Sequence, residues 1–130
     1  MAYRGPVNRW DVFWTDLEPG VGHEQKGAAC PVIVVSNDGY NQANVGMVTI
    51  VPATKAADKK RKIYPFEVEL GKGTLTPEYA SIVMPQQIRA ISTLRLLEKI
   101  GTLVSPEKQQ EIEHRILEHL GIAFEAEGLA

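Results

Sequence analysis

The run Pro31-Val32-Ile33-Val34-Val35 is apolar at every position. A half-exposed strand alternates apolar and polar residues, whereas one that is apolar on both faces needs cover on both sides. A strand over residues 31–36 therefore belongs inside the fold, and Asn37-Asp38-Gly39 ends it. Directly before it stands the polar segment Gly22-His23-Glu24-Gln25-Lys26-Gly27-Ala28-Ala29-Cys30. Its glycines give the backbone freedom, and Glu24 and Gln25 put donors and acceptors at the crest. Polar groups on a loop held by a rigid buried strand are well placed for binding and catalysis.

The rest of the chain is punctuated closely. Residues 1–8 hold Gly5 and Pro6 without apolar periodicity and are expected to form a mobile leader. Strands are predicted over 10–17, 47–53 and 63–70, with two short ones over 80–84 and 87–91. In the 63–70 segment the alternation puts Phe66, Val68 and Leu70 on one side and Pro65, Glu67 and Glu69 on the other. Six short strands separated by turns indicate a compact barrel or sandwich, not alternating βαβ units. Ser105 as N-cap and Pro106 at the first position open a C-terminal helix. Ile112, Ile116, Leu117 and Leu120 share one of its faces, Glu111 and Arg115 are spaced as an ion pair, and Gly121 ends it. A shorter helix is predicted over 93–99, and residues 123–130 form a flexible tail. The fold class is thus mainly β with C-terminal helices (α+β), one domain over 9–122.

The formal net charge of −2 excludes a global basic field, so any anion site must be local. The apolar runs are too short to span a bilayer, and no secretory signal pattern opens the sequence. The single cysteine, Cys30, rules out an internal disulfide and fits a reducing, cytoplasmic location. His114 and His119 lie five apart on a helix with no partnering cysteines, so no metal site and no cofactor are expected.

Several stretches together resemble the MazF/PemK-type toxin endoribonucleases. They are Asp11-Val12-Phe13-Trp14 with Asp16-Leu17-Glu18-Pro19, Gly22-His23-Glu24-Gln25, Pro31 to Ser36, Val51-Pro52-Ala53-Thr54, Tyr64-Pro65-Phe66-Glu67-Val68, Gln87-Ile88-Arg89-Ala90-Ile91 and Ile100-Gly101-Thr102-Leu103. Their order and spacing cover roughly residues 9–122. The resemblance implies an SH3-like antiparallel barrel built as a homodimer. It also implies metal-independent cleavage of single-stranded RNA by its own 2′-hydroxyl, and an antitoxin whose acidic, partly disordered segment blocks the RNA groove. Among the family's active-site residues the loop glutamate matches Glu24, the threonine after the third strand matches Thr54, and a glutamine matches Gln87. Cys30 stands where the family has an arginine, in a loop one residue longer than usual. A cysteine has neither the fixed charge nor the fork of a guanidinium, so the catalytic centre reads as modified or inactivated.

Phosphodiester transfer needs a group to take the 2′-proton, a donor for the leaving 5′-oxygen, and positive or hydrogen-bonding groups around phosphorus. Catalytic roles are expected at Glu24, Cys30 and Thr54, and RNA contacts at Gln25, Lys26, Lys59, Lys60, Arg61, Gln87 and Arg89. Each has a plainer reading. The commoner fate of a residue such as Glu24 is a solvated carboxylate, and that of the 59–62 cluster a solvated cationic loop. Gln87 and Arg89, two apart on a predicted strand, either line an RNA groove or form the wet face of a sheet, and Cys30 reads first as a small buried residue at a strand start. An apolar patch of Trp14, Met84, Ile88, Leu96 and Leu97 is expected at the dimer surface. Two functions follow: an RNA-cleaving toxin, or a non-catalytic RNA- or antitoxin-binding dimer of the same fold. A gyrase-directed toxin of this fold lacks support in these residues.

Overall fold

The strand that must be covered twice is the hub of the structure. A computed structural model of the chain describes residues 2–56 and 61–124. In it β2 (Cys30–Val34) is buried at all five positions. It lies between β1 (Asp11–Thr15) and the long β3 (Met47–Lys55), antiparallel to both. Alternate side chains of β2 enter different cores, as the pleat requires. Ile33 joins Val12, Val51, Val83 and Leu103, while Val32 and Val34 join Phe13, Leu17, Ile50 and Leu96.

Each core has its own cover. The first is closed by α2 (Pro106–His119), whose Ile112 is fully buried and whose Ile116 packs beside it. The helix begins as expected: Ser105 accepts the Lys108 amide and Pro106 takes the first position. It ends at Gly121, whose φ of 71° is cheap only for glycine. Arg115 pairs with Glu118, not with Glu111. The second core is covered by the segment expected as a leader. The Tyr3 amide donates to the Leu96 carbonyl at 2.7 Å, its ring meets Phe13 edge-on, and Val7 packs alongside.

The remaining strands are β4 (Val68–Leu70), β5 (Ser81–Val83), β6 (Arg89–Ser92) and β7 (Leu96–Thr102). The sheet runs β4-β5-β3-β2-β1-β7, with β6 also on β3. The expected barrel is open between β4 and β7. One turn of helix, α1 (Asp38–Asn41), follows β2.

Two further expectations are corrected. The helix over 93–99 is a 3-10 turn at Thr93–Arg95 followed by β7. Leu96 is wanted in the core beside β1, and strand pairing with β1 overrides the local helical spacing. The 63–70 strand shrinks to Val68–Leu70. Ahead of it the Glu67 amide closes a turn onto the Tyr64 carbonyl at 2.9 Å, so the strand's phase starts only at Val68. The predicted sides are reversed there, with Glu67 buried and Phe66 exposed.

Candidate active site

A proline makes the site. In an antiparallel strand the N–H and C=O of one residue point to the same side. The Pro52 carbonyl accepts from the Met84 amide, so the missing Pro52 donor faces that same segment. There the ladder opens. β5 pairs with β3 up to Val83 opposite Ala53, and β6 resumes with Arg89 opposite Ile50. Between them Pro85–Gln87 loops out as a 3-10 turn. Gln87 is therefore on this turn and only Arg89 is on a strand, which corrects the expectation of one shared strand face.

The polar loop before β2 is fastened to this turn. The Gln87 side chain bridges it, accepting the Gln25 amide on Oε1 at 2.6 Å and donating from Nε2 to the His23 carbonyl at 3.3 Å. The base of the loop is closed by the Leu17 amide on the Gly27 carbonyl at 2.9 Å. Gly27 has φ 142°, and a Cβ there would stand 2.9 Å from the Cys30 sulfur, so only glycine fits. Arg95 supports the near side through the Asp16 and Glu18 carbonyls. Within the loop, Glu24 Oε1 accepts the Val21 amide at 2.9 Å, and Lys26 Nζ donates to the Gly22 carbonyl at 3.1 Å.

These connections bring Glu24, Gln87 and Arg89 to one groove of about 520 Å³, with His23, Gln86 and Ile88. Other expected site residues lie elsewhere. Cys30 is buried in the second core, and its thiol donates to the Lys26 carbonyl at 3.3 Å. Burial pushes the thiol pKa up against a hydrogen bond from Gln25, and the negative Glu18 and Asp16 push it further. At neutral pH the group is a protonated thiol, not a nucleophilic thiolate. Thr54 sits half-buried in β3 opposite Ile82 and does not line the groove. Lys59 and Lys60 lie outside the described residues. Gln25 is held by its backbone, and Lys26 is exposed. Met84 and Leu96 of the expected dimer patch are in the chain's own core, while Trp14 and Leu97 are half-buried and line a shallow groove with Tyr79.

Arg61 is committed to the fold. Its two terminal nitrogens meet the two Glu67 oxygens at 2.9 and 2.8 Å, a bidentate pair on a carboxylate whose side chain is 0% exposed. The Tyr64 amide and Gln86 Nε2 complete its shell at 3.1 and 2.7 Å. Burial alone would raise the Glu67 pKa. The Arg61 pair, the Tyr64 amide and Gln86 outweigh it and hold the carboxyl below its usual range. Glu67 and Gln86 were not singled out from sequence. Alternation put Glu67 on the outer face, and only the Tyr64–Glu67 turn turns it inward. Among the described residues no three His, Cys, Asp or Glu side chains converge as metal ligands, and no helix is long and apolar enough to cross a membrane.

The architecture is that of the MazF toxins. A crystal structure of MazF from Deinococcus radiodurans superposes with a TM-score of 0.75 at 24% identity, covering 92% of this chain and all of that one. A mycobacterial endoribonuclease in complex with its cognate antitoxin gives 0.69 at 22% identity over 94% of this chain and 100% of that one. In sequence, the profile of the PemK-like, MazF-like toxins of type II toxin–antitoxin systems matches residues 8–120. Over 108 residues the chain is 34% identical to endoribonuclease MazF9 of Mycobacterium tuberculosis, covering 80% of this chain and 88% of that protein. The chain belongs to the PemK-like, MazF-like toxin family of type II toxin–antitoxin systems.

Proposed function

We propose that this toxin is an endoribonuclease that cuts single-stranded RNA without a metal ion, in the groove between the 22–27 loop and the Pro85–Gln87 turn. The observation that carries the reading is the convergence of Glu24, Gln87 and Arg89 on that groove, in a chain 34% identical to a named endoribonuclease. The RNA 2′-oxygen attacks phosphorus and the bond to the 5′-oxygen breaks, leaving a 2′,3′-cyclic phosphate and a 5′-hydroxyl. The proton lost by the 2′-oxygen balances the one gained by the 5′-oxygen, so no co-reactant is needed. Glu24, oriented by the Val21 amide, takes the 2′-proton. Arg89 supplies the fixed positive charge facing the phosphorane, the part the family's arginine would play at Cys30. Gln25 and Lys26 contribute contacts to the bound strand, as do Lys59 and Lys60. Arg61 anchors its loop through Glu67. The chain acts as a cytoplasmic homodimer, and the antitoxin complex among similar structures supports a partner that covers the groove with an acidic segment.

A second reading, a folded dimer that binds RNA or antitoxin without cutting, is favoured by one observation. Cys30, which the resemblance sets at the family's arginine position, is a buried thiol bonded to the Lys26 carbonyl. Incubation with mixed single-stranded RNA in EDTA, with mapping of the ends, separates the two. Cleavage with cyclic-phosphate ends that falls about a hundredfold or more in Glu24→Gln and Arg89→Gln supports the first. Tight RNA binding with no cut ends, and cleavage gained in Cys30→Arg, establishes the second.

A further inference from the structure

β1 ends at Thr15, where Leu96 is its last partner on β7. Past that pair the chain leaves the ladder and becomes the first leg of the Glu24 loop. The Asp16 amide still donates to the Arg95 carbonyl at 2.9 Å, while the Leu17 amide already donates to Gly27 on the returning leg. The chain changes partner between these two residues, so the carbonyls of the leg have no regular ladder to bond to.

Arg95 fills that gap. It is half-buried at the end of the Thr93–Arg95 turn. Its Nη1 donates to the Asp16 carbonyl at 3.1 Å and to the Glu18 carbonyl at 2.7 Å. One guanidinium nitrogen carries two hydrogens in a fixed plane, so a single group spans both acceptors. Among the described residues no carboxylate forms an ion pair with Arg95. Its charge goes to the two carbonyls, and a hydrogen bond from a charged donor is about twice as strong as a neutral one.

From Glu18 the order passes up the leg to Glu24 by short contacts. Glu18 Oε1 accepts the Gly20 amide at 3.3 Å. Gly20 lies against the Lys26 stem so closely that a Cβ there would collide with it. Lys26 Nζ in turn donates to the Gly22 carbonyl at 3.1 Å. Val21 and Glu24 then bond both ways, the Val21 amide to Glu24 Oε1 at 2.9 Å and the Glu24 amide to the Val21 carbonyl at 3.2 Å. The carboxylate is placed by Val21, and Val21 by a leg that Arg95 holds. Arg95 itself does not line the groove.

We propose that Arg95 is a positioning residue for the groove: by clasping the Asp16 and Glu18 carbonyls it sets where the Glu24 carboxylate stands over the bound strand, without touching RNA. The proposal rests on the RNA reading above and extends it to a residue that reading does not use. A reacting group misplaced by about 1 Å can cost about a hundredfold in rate while the strand still binds.

The test compares the wild type with Arg95→Met, which keeps an apolar stem and removes both bonds, and Arg95→Lys, which keeps the charge without the fork. Thermal unfolding verifies that each folds, and Arg95→Lys carries the comparison where Arg95→Met does not. Single-turnover cleavage of a single-stranded RNA at saturation should fall about tenfold or more in Arg95→Met and less in Arg95→Lys. The Kd for the same RNA with 2′-deoxyribose at the scissile nucleotide should change less than about twofold, with its salt dependence unaltered. In a Glu24→Gln background, Arg95→Met should cost no further cleavage, because it acts through Glu24. Hydrogen exchange in Arg95→Met should quicken at the Val21 and Glu24 amides and stay unaltered at the Gln25 amide, which Gln87 holds. A weaker Kd with a shallower salt dependence would make Arg95 an RNA contact and overturn the proposal. So would a full further loss of cleavage in the Glu24→Gln background, or unaltered Val21 exchange. A wild type that cuts no RNA would overturn the RNA reading and leave the clasp to be decided by Val21 exchange alone.

Discussion

Asp11 and Glu67 are carboxylates of similar burial, 2% and 5% exposed, and each is held by several donors. Asp11 accepts the Asn8 amide at 2.8 Å and the Thr102 hydroxyl at 3.0 Å, and meets Lys99 at 3.3 Å. Its partners belong to β7 and to the approach to β1, so it joins the strand to its neighbours. Glu67 is clasped by Arg61 and the Tyr64 amide, but its remaining partner is Gln86, next to the Gln87 that fastens the Glu24 loop. A buried charge is weak evidence for stability, since an apolar replacement often does as well. What separates the two carboxylates is what their partners do next. Asp11 ends in the frame, whereas Glu67 leads to the groove.

The largest effect is expected where this contrast is sharpest. Glu67→Ala takes the shared acceptor from Arg61, the Tyr64 amide and Gln86 and should cost about 3–5 kcal/mol of stability by denaturant titration. RNA cleavage per folded molecule should fall about tenfold or more, because the Gln86–Gln87 turn loses its anchor. Asp11→Ala should cost about 1.5–3 kcal/mol and leave cleavage per folded molecule unchanged. Equal losses of activity in both would erase the distinction.

Acid should reach Glu67 through its depressed pKa. Its stabilising contribution is complete above the ordinary carboxyl value of 4.5 and is lost as pH falls through the lower folded value. Unfolding followed against pH should show this loss in the wild type, and Glu67→Gln should flatten that part of the curve. An unchanged curve in Glu67→Gln would mean that other carboxylates govern the acid limb.

Smaller changes sharpen the comparison locally. Gln87→Leu removes the bonds to Gln25 and His23 and should cost about 1–2 kcal/mol, with faster hydrogen exchange at the Gln25 amide. Thr102→Val removes one donor from Asp11 and should cost about 1 kcal/mol, with Gln25 exchange unaltered. Faster Gln25 exchange in Thr102→Val would couple frame and groove.

The smallest effect is expected at Cys30, which groups with the frame although it closes the groove's loop. Iodoacetamide at neutral pH should label the native chain far more slowly than the unfolded chain, because the thiol is buried and protonated. Rapid native labelling would move Cys30 into the groove.

The sequence by itself determined the frame. Apolar residues on both faces of residues 31–35 demand two layers of cover, and the structure supplies two cores. Ser105, Pro106 and Gly121 are local signals of a helix's two ends, and they needed no tertiary help. Glu24, Gln87 and Arg89 were legible as site candidates through order and spacing. The tertiary structure decided the rest, because it depended on contacts between distant segments. Leu96 gave up helical spacing for a place beside β1. The Tyr64–Glu67 turn exchanged the sides of Phe66 and Glu67, burying a carboxylate and exposing Phe66. Pro52 is visible in the sequence, but that its missing donor opens the ladder and ejects Gln86 and Gln87 depends on which strand lies along that edge. Local chemistry settles where elements begin and end. Which polar group is left without a partner is settled only when every neighbour is in place.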